Sequence, residues 1–85
     1  MPTPVSRLTI GKAVHMQRQF VESSMMRTVG YDAKEQILGI EFQSGRIYHY
    51  YKVEEAVFKE LLEAESLGRY FLDNIEDIYM YGRVR

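Results

Sequence analysis

The chain of 85 residues has no cysteine and no tryptophan, and its two prolines, Pro2 and Pro4, both stand at the start. Without cysteine there is neither a disulfide nor a thiolate metal site, a composition that suits a reducing compartment. No apolar run approaches the ~20 residues that span a bilayer. The start, Met1-Pro2-Thr3-Pro4, lacks the basic residues and apolar stretch of a signal peptide, so the expectation is a cytosolic protein without a membrane partner. The two histidines, His15 and His49, form no His-x-x-x-His pair and have no acidic partner at ligand spacing, which argues against a metal. No Gly-x-Ser-x-Gly surrounds Ser23 or Ser24, and Gly30, Gly39 and Gly45 are isolated and form no phosphate loop. These absences predict a binding protein rather than an enzyme, with no cofactor and no evident small-molecule substrate.

What is present is an ordinary globular composition, 46% hydrophobic and 27% charged, long enough for one modest core and too short for two domains. The net charge of −1 conceals a pattern. Residues 1–20 carry Arg7, Lys12 and Arg18 with no acid, and the last eight add Arg83 and Arg85. Between them, residues 53–77 hold eight acids against Lys59 and Arg69. A polyanion would be repelled by that acidic segment and would have to approach elsewhere.

Along the chain, Arg7–Ile10 reads as a short strand, and 12–20 fits helical and strand spacing alike. Met25–Tyr31 is strand-like and leads into a turn. Ile37–Phe42 alternates, with Leu38, Ile40 and Phe42 on one side of the pleat. Gln43–Arg46 is a hairpin turn in which Gly45 supplies backbone freedom, and Ile47–Val53 is the tyrosine-rich return strand. Glu54 opens a helix whose stripe is Val53, Val57, Leu61 and Ala64, widened by Phe58 and Leu62, with Glu55, Lys59, Glu60 and Glu63 outside. Ser66 caps a second short helix to about Asn74, and Gly68 within it suggests close packing. Ile78–Tyr81 alternates as an extra strand or an extended tail. The predicted fold is α+β: a three-stranded, or four-stranded, antiparallel sheet followed by two helices packed on one face. Tyr31, Tyr70, Phe71, Phe20 and Phe58 are expected in or at the edge of the core.

The order of short motifs, Val21-x-Ser23-Ser24, Val29-Gly30-Tyr31-Asp32, Leu38-x-Ile40-x-Phe42-x-x-Gly45, Tyr48-x-Tyr50-x-x-Val53 and Ala64-x-Ser66-x-Gly68-x-Tyr70-Phe71 with Ile75, resembles the KTSC domain. That family is a small module found free-standing and at the C-terminus of some lysyl-tRNA synthetases. The sequence departs from the family pattern at Glu54, Leu72 and Met80. The resemblance covers 21–79, with 1–20 as an N-terminal extension and 80–85 as a C-terminal tail. It carries no established activity; it implies an association with RNA, whether tRNA or single-stranded.

Read on the residues, Tyr48 and Tyr50 share one face of a strand, where two rings on an open sheet can stack bases. Arg46 and Lys52 would flank them, with Arg27 and Arg69 as further cations for phosphate. The hairpin decides which face that is. A loop of two or four residues turns the pair away from Leu38 and Ile40, whereas three or five turns it into the core. The second reading is protein interaction or a homodimer, formed by adding Arg7–Ile10 to a neighbour's sheet.

Overall fold

A computed structural model describes residues 16–85, so the strand expected at Arg7–Ile10 lies outside the described residues. The chain forms β1 (Gln17–Phe20), β2 (Met26–Asp32), β3 (Ile37–Phe42), β4 (Ile47–Tyr50), α1 (Glu55–Glu63), α2 (Leu67–Asn74) and β5 (Tyr81–Arg83). The α+β class holds, but among the described residues the sheet has five antiparallel strands in the order β1-β2-β3-β4-β5, not three or four. The ambiguous segment before Val21 settles as β1, because pairing with β2 satisfies backbone groups that its exposed side chains give no other reason to order. Residues 81–83, read as tail, pair with β4 as the far edge strand. The alternation noticed at Ile78–Tyr81 is real only at its end, since Ile78 and Tyr79 sit in the turns that follow α2.

Local chemistry places the turns. Asp32 Oδ1 accepts from the N–H groups of Lys34 and Glu35, closing the β2–β3 turn. Ser23 Oγ accepts from the N–H groups of Met25 and Met26 and so steers the chain into β2. In the β3–β4 hairpin Phe42 and Arg46 close a three-residue loop, Gln43–Gly45, with Phe42 N–H donating to Arg46 O and Gly45 N–H donating to Phe42 O. Gly45 has φ +95, which only glycine adopts readily. Ser66 accepts from the Arg69 N–H as the N-cap of α2, whereas Glu54 caps α1 without a side-chain bond.

Both helices lie on one face of the sheet. Leu38, Ile40, Val29, Met26 and Tyr50 meet Val53, Leu61, Phe71 and Ile75 there as one buried cluster. Tyr31 stacks on Phe58 at 5.1 Å, and its hydroxyl donates to Val53 O, tying β2 to the start of α1. Phe20, expected in the core, is instead 77% exposed, because β1 is an edge strand that presents it away from the helices.

On the opposite face, neighbouring strands place Gly30, Gly39, His49 and Gly82 in one row. Met16 fills the trough over Gly30 and Gly39. A Cβ on Gly30 would lie 2.7 Å from the backbone oxygen of Gln17, while one on Gly39 would lie 2.6 Å from Met16 Sδ. A backbone atom cannot yield without moving β1, whereas a thioether can swing aside. Gly30→Ala should therefore lose about 1–3 kcal/mol of stability, and Gly39→Ala distinctly less, as read by urea unfolding of the two variants side by side. Gly68, by contrast, would place a Cβ 3.5 Å from Met25 Cε, an ordinary contact, so close packing does not explain that glycine.

Candidate functional site

The three-residue loop fixes the parity of the hairpin. Ile40 pairs with Tyr48 and Leu38 with Tyr50, so both tyrosines point to the helix face with Phe42. The open-sheet platform for two stacked bases does not form. Tyr50 is only 4% exposed, held edge-on to Phe71 at 5.6 Å and 6.4 Å from Tyr48.

The same parity builds a cleft. β5 adds Tyr81 beside the pair, 5.7 Å from each ring, and Phe42 meets both Tyr48 and Phe71 edge-on. The resulting aromatic cleft, about 460 Å³, opens between the β3–β4 hairpin, β5 and the end of α2. Arg46, Gln43 and Ser44 line one part of it, and Glu76 and Asp77 another. Tyr48 is half-buried at its wall, and Tyr81 is 59% exposed. Burial, with the Glu76 carboxylate second, pushes the Tyr50 phenol well above its ordinary range, so it stays neutral.

Of the six residues singled out in the sequence, Arg46, Tyr48 and Tyr50 line this cleft. Lys52 does not flank it with Arg46: it lies past the other end of β4, in a left-handed turn at φ 58. Arg27 stands over the Phe20 ring, 6.0 Å from its centroid, at the β1 side of the sheet. Arg69 points outward from α2, 3.9 Å from Asp73. Sequence reasoning missed Tyr81, Phe42 and the two acids: hairpin parity turns Phe42 to Tyr48, the packing of α2 brings up Glu76 and Asp77, and only the return of β5 to β4 delivers Tyr81. The one available signal was the tyrosine density at 79–81.

His49 lies on the other face, 5% exposed, and its Nε2 meets no hydrogen-bond partner among the described residues. Burial first, and the Arg18 guanidinium second, hold its pKa below the ordinary value, so the ring is neutral. Among the described residues no helix is long and apolar enough to cross a membrane, and no group of His, Asp or Glu is placed to hold a metal.

A five-stranded meander with two helices on one face and an aromatic cleft at its β5 edge defines a small α+β module. The KTSC domain model matches residues 22–79, and the chain belongs to that family. A crystal structure of a KTSC domain protein from Yersinia pestis superposes with a TM-score of 0.80 at 33% identity, covering 82% of this chain and 99% of that one. An uncharacterized protein of Stutzerimonas stutzeri is 50% identical over 66% of this chain and 79% of its own length. A lysine–tRNA ligase of Nostoc punctiforme is 42% identical over 59% of this chain, a match that takes up 9% of the ligase. Strands β1 and β5 lie outside the matched span, although they belong to the same sheet.

Proposed function

We propose that this domain is a binding module without chemistry of its own, and that its cleft takes an unstacked base of single-stranded RNA or of a tRNA loop. The observation that carries the reading is the open aromatic cleft with Tyr81 and Tyr48 at its mouth and one cation, Arg46, in its lining. Every base offers a π-face to such rings, and the guanidinium suits the adjoining phosphate. Glu76 and Asp77 repel phosphate from their own part of the cleft, and so favour the strand running past Arg46. The relatedness to a segment of lysine–tRNA ligases supports an RNA ligand and does not identify one.

The stacking partners are Tyr81 and Tyr48, not Tyr48 and Tyr50. Tyr81→Ala removes a side chain that is mostly solvated, so the fold should survive it. Stacking contributes roughly 1–3 kcal/mol per base, so the affinity should fall about 5- to 150-fold. Fluorescence anisotropy with labelled single-stranded RNA and with tRNA at low salt measures this. Absence of binding to either, or equal binding by wild type and Tyr81→Ala, overturns the reading. Because Arg46 is the one arginine among the described residues that line the cleft, the salt dependence should also be shallow, about −0.7 in the log–log slope for each phosphate engaged.

A further inference from the structure

We propose that the outer edge of β1, which ends the sheet among the described residues, is a self-association edge, on which a second copy of this chain pairs antiparallel and continues the sheet. Among the described residues β1 ends the sheet, and Gln17, Arg18, Gln19 and Phe20 are all exposed. Phe20, at 77%, is the most exposed aromatic ring among the described residues. β1 carries no lysine, proline or bulge of the kind that blunts the edges of monomers, and its one charged side chain is Arg18.

The ladder sets which backbone groups are available. Val21 N–H donates to Arg27 O, and the register pairs Gln19 with Val29 and Gln17 with Tyr31. Alternation then directs the backbone groups of Gln17, Gln19 and Val21 to β2, and those of Arg18 and Phe20 outward. A two-fold axis through Gln19, normal to the sheet, sets Arg18 of each copy opposite Phe20 of the other. In that register the outward N–H and C=O groups meet as hydrogen-bonded pairs, and both outward residues of each strand are used.

The side chains agree with the backbone. Arg18 and Phe20 share one face of β1, so each phenyl ring receives a guanidinium from the other copy. Arg27 of its own chain already stands 6.0 Å from that ring's centroid. Centring the axis on Arg18 would set like charges directly opposite. Centring it on Phe20 would pair Arg18 with Glu22, beyond the end of the strand.

The chain has no cysteine, so Gln19→Cys introduces a single thiol, placed on the two-fold axis. Across a non-hydrogen-bonded pair the Cα atoms stand ~4.5 Å apart, within disulfide reach. Mild oxidation of Gln19→Cys should give a covalent dimer. Arg18→Cys and Phe20→Cys alone should not, while an equimolar mixture of the two should. In sedimentation equilibrium the wild type should dimerise. Phe20→Pro removes an outward N–H without touching the β1–β2 ladder, so it should weaken the dimer about tenfold or more with an unchanged far-ultraviolet spectrum. A wild type that stays monomeric at high micromolar concentration overturns the proposal. So does a dimer that Gln19→Cys fails to lock, or one that Phe20→Cys locks by itself.

Discussion

Tyr50→Ala should cost the protein about 3–5 kcal/mol, the loss typical of deleting a buried aromatic ring. Tyr50 is nearly enclosed and makes ring contacts with Tyr48, Phe71 and Tyr81, so its removal leaves a void where β4, α2 and β5 meet. Domains of this size have about 5–15 kcal/mol in total, so the variant should melt some 15–30 °C lower. Tyr50→Phe keeps the ring and should stay close to wild type. Differential scanning calorimetry separates the two. A Tyr50→Ala protein with a melting point near wild type would mean that the ring is not sealed as described. The expected instability also makes Tyr50→Ala useless for judging ligand binding, which is why Tyr81 carries that test.

Alkali should unfold the protein steeply above pH 10. Tyr31 and Tyr50 are both raised above their ordinary pKa, in each case chiefly by burial, with Glu55 next for Tyr31 and Glu76 next for Tyr50. Tyr70 is pushed up to about 12 by burial and by its hydrogen bond to Glu60. A raised folded-state pKa means that the native state holds its phenolic proton where the unfolded chain has lost it. That stability is fully present below the unfolded value of 10 and drains away as pH climbs from there towards the folded values. For Tyr50, the most enclosed of the three, this amounts to up to about 1.4 kcal/mol per pH unit in that window. The loss of helix should therefore set in above pH 10 and bring the last phenolates of the seven tyrosines with it, and Tyr50→Phe should shift that loss to higher pH. A complete seven-phenolate ultraviolet signal with the helices intact would refute the assignment. His49 acts in the opposite range. Its lowered folded pKa contributes stability that is present above about pH 6.5 and is lost as pH falls below it.

The element types that local chemistry dictates were legible in the sequence. The bounds Ile37–Phe42 for β3, the Ser66 cap and the stripe of Val53, Val57 and Leu61 follow from alternation, hydroxyl capping and helical spacing. The family, too, was visible in its motif order. What the sequence left open was a matter of parity. Gln43–Arg46 reads as a turn, but whether three or four residues form it depends on Arg46 accepting from the Phe42 N–H, and one residue reverses the face of both tyrosines. The edge strands were obscure for a related reason. β1 is wholly exposed, and β5 is a short piece with exposed Tyr81 and Arg83, so neither shows the in–out alternation that marks a half-buried strand. Phe20 was misplaced for the same cause: apolar character suggests burial, and an edge strand grants none. The cleft was out of reach, because it needs Tyr81 brought against Tyr48 by a pairing across both helices.

That last pairing has a kinetic side. β1 to β4 succeed one another through short turns, so each finds its neighbour by closing only a few residues of chain, and the meander can zip up early. β5 must wait until residues 51–80 have folded into α1, α2 and the turns around them. The strand that docks last and is only three residues long is also the one that most readily lifts off in partial opening events. Since Tyr81 travels with it, each such detachment takes one wall away from the aromatic cleft while the rest of the sheet stays closed.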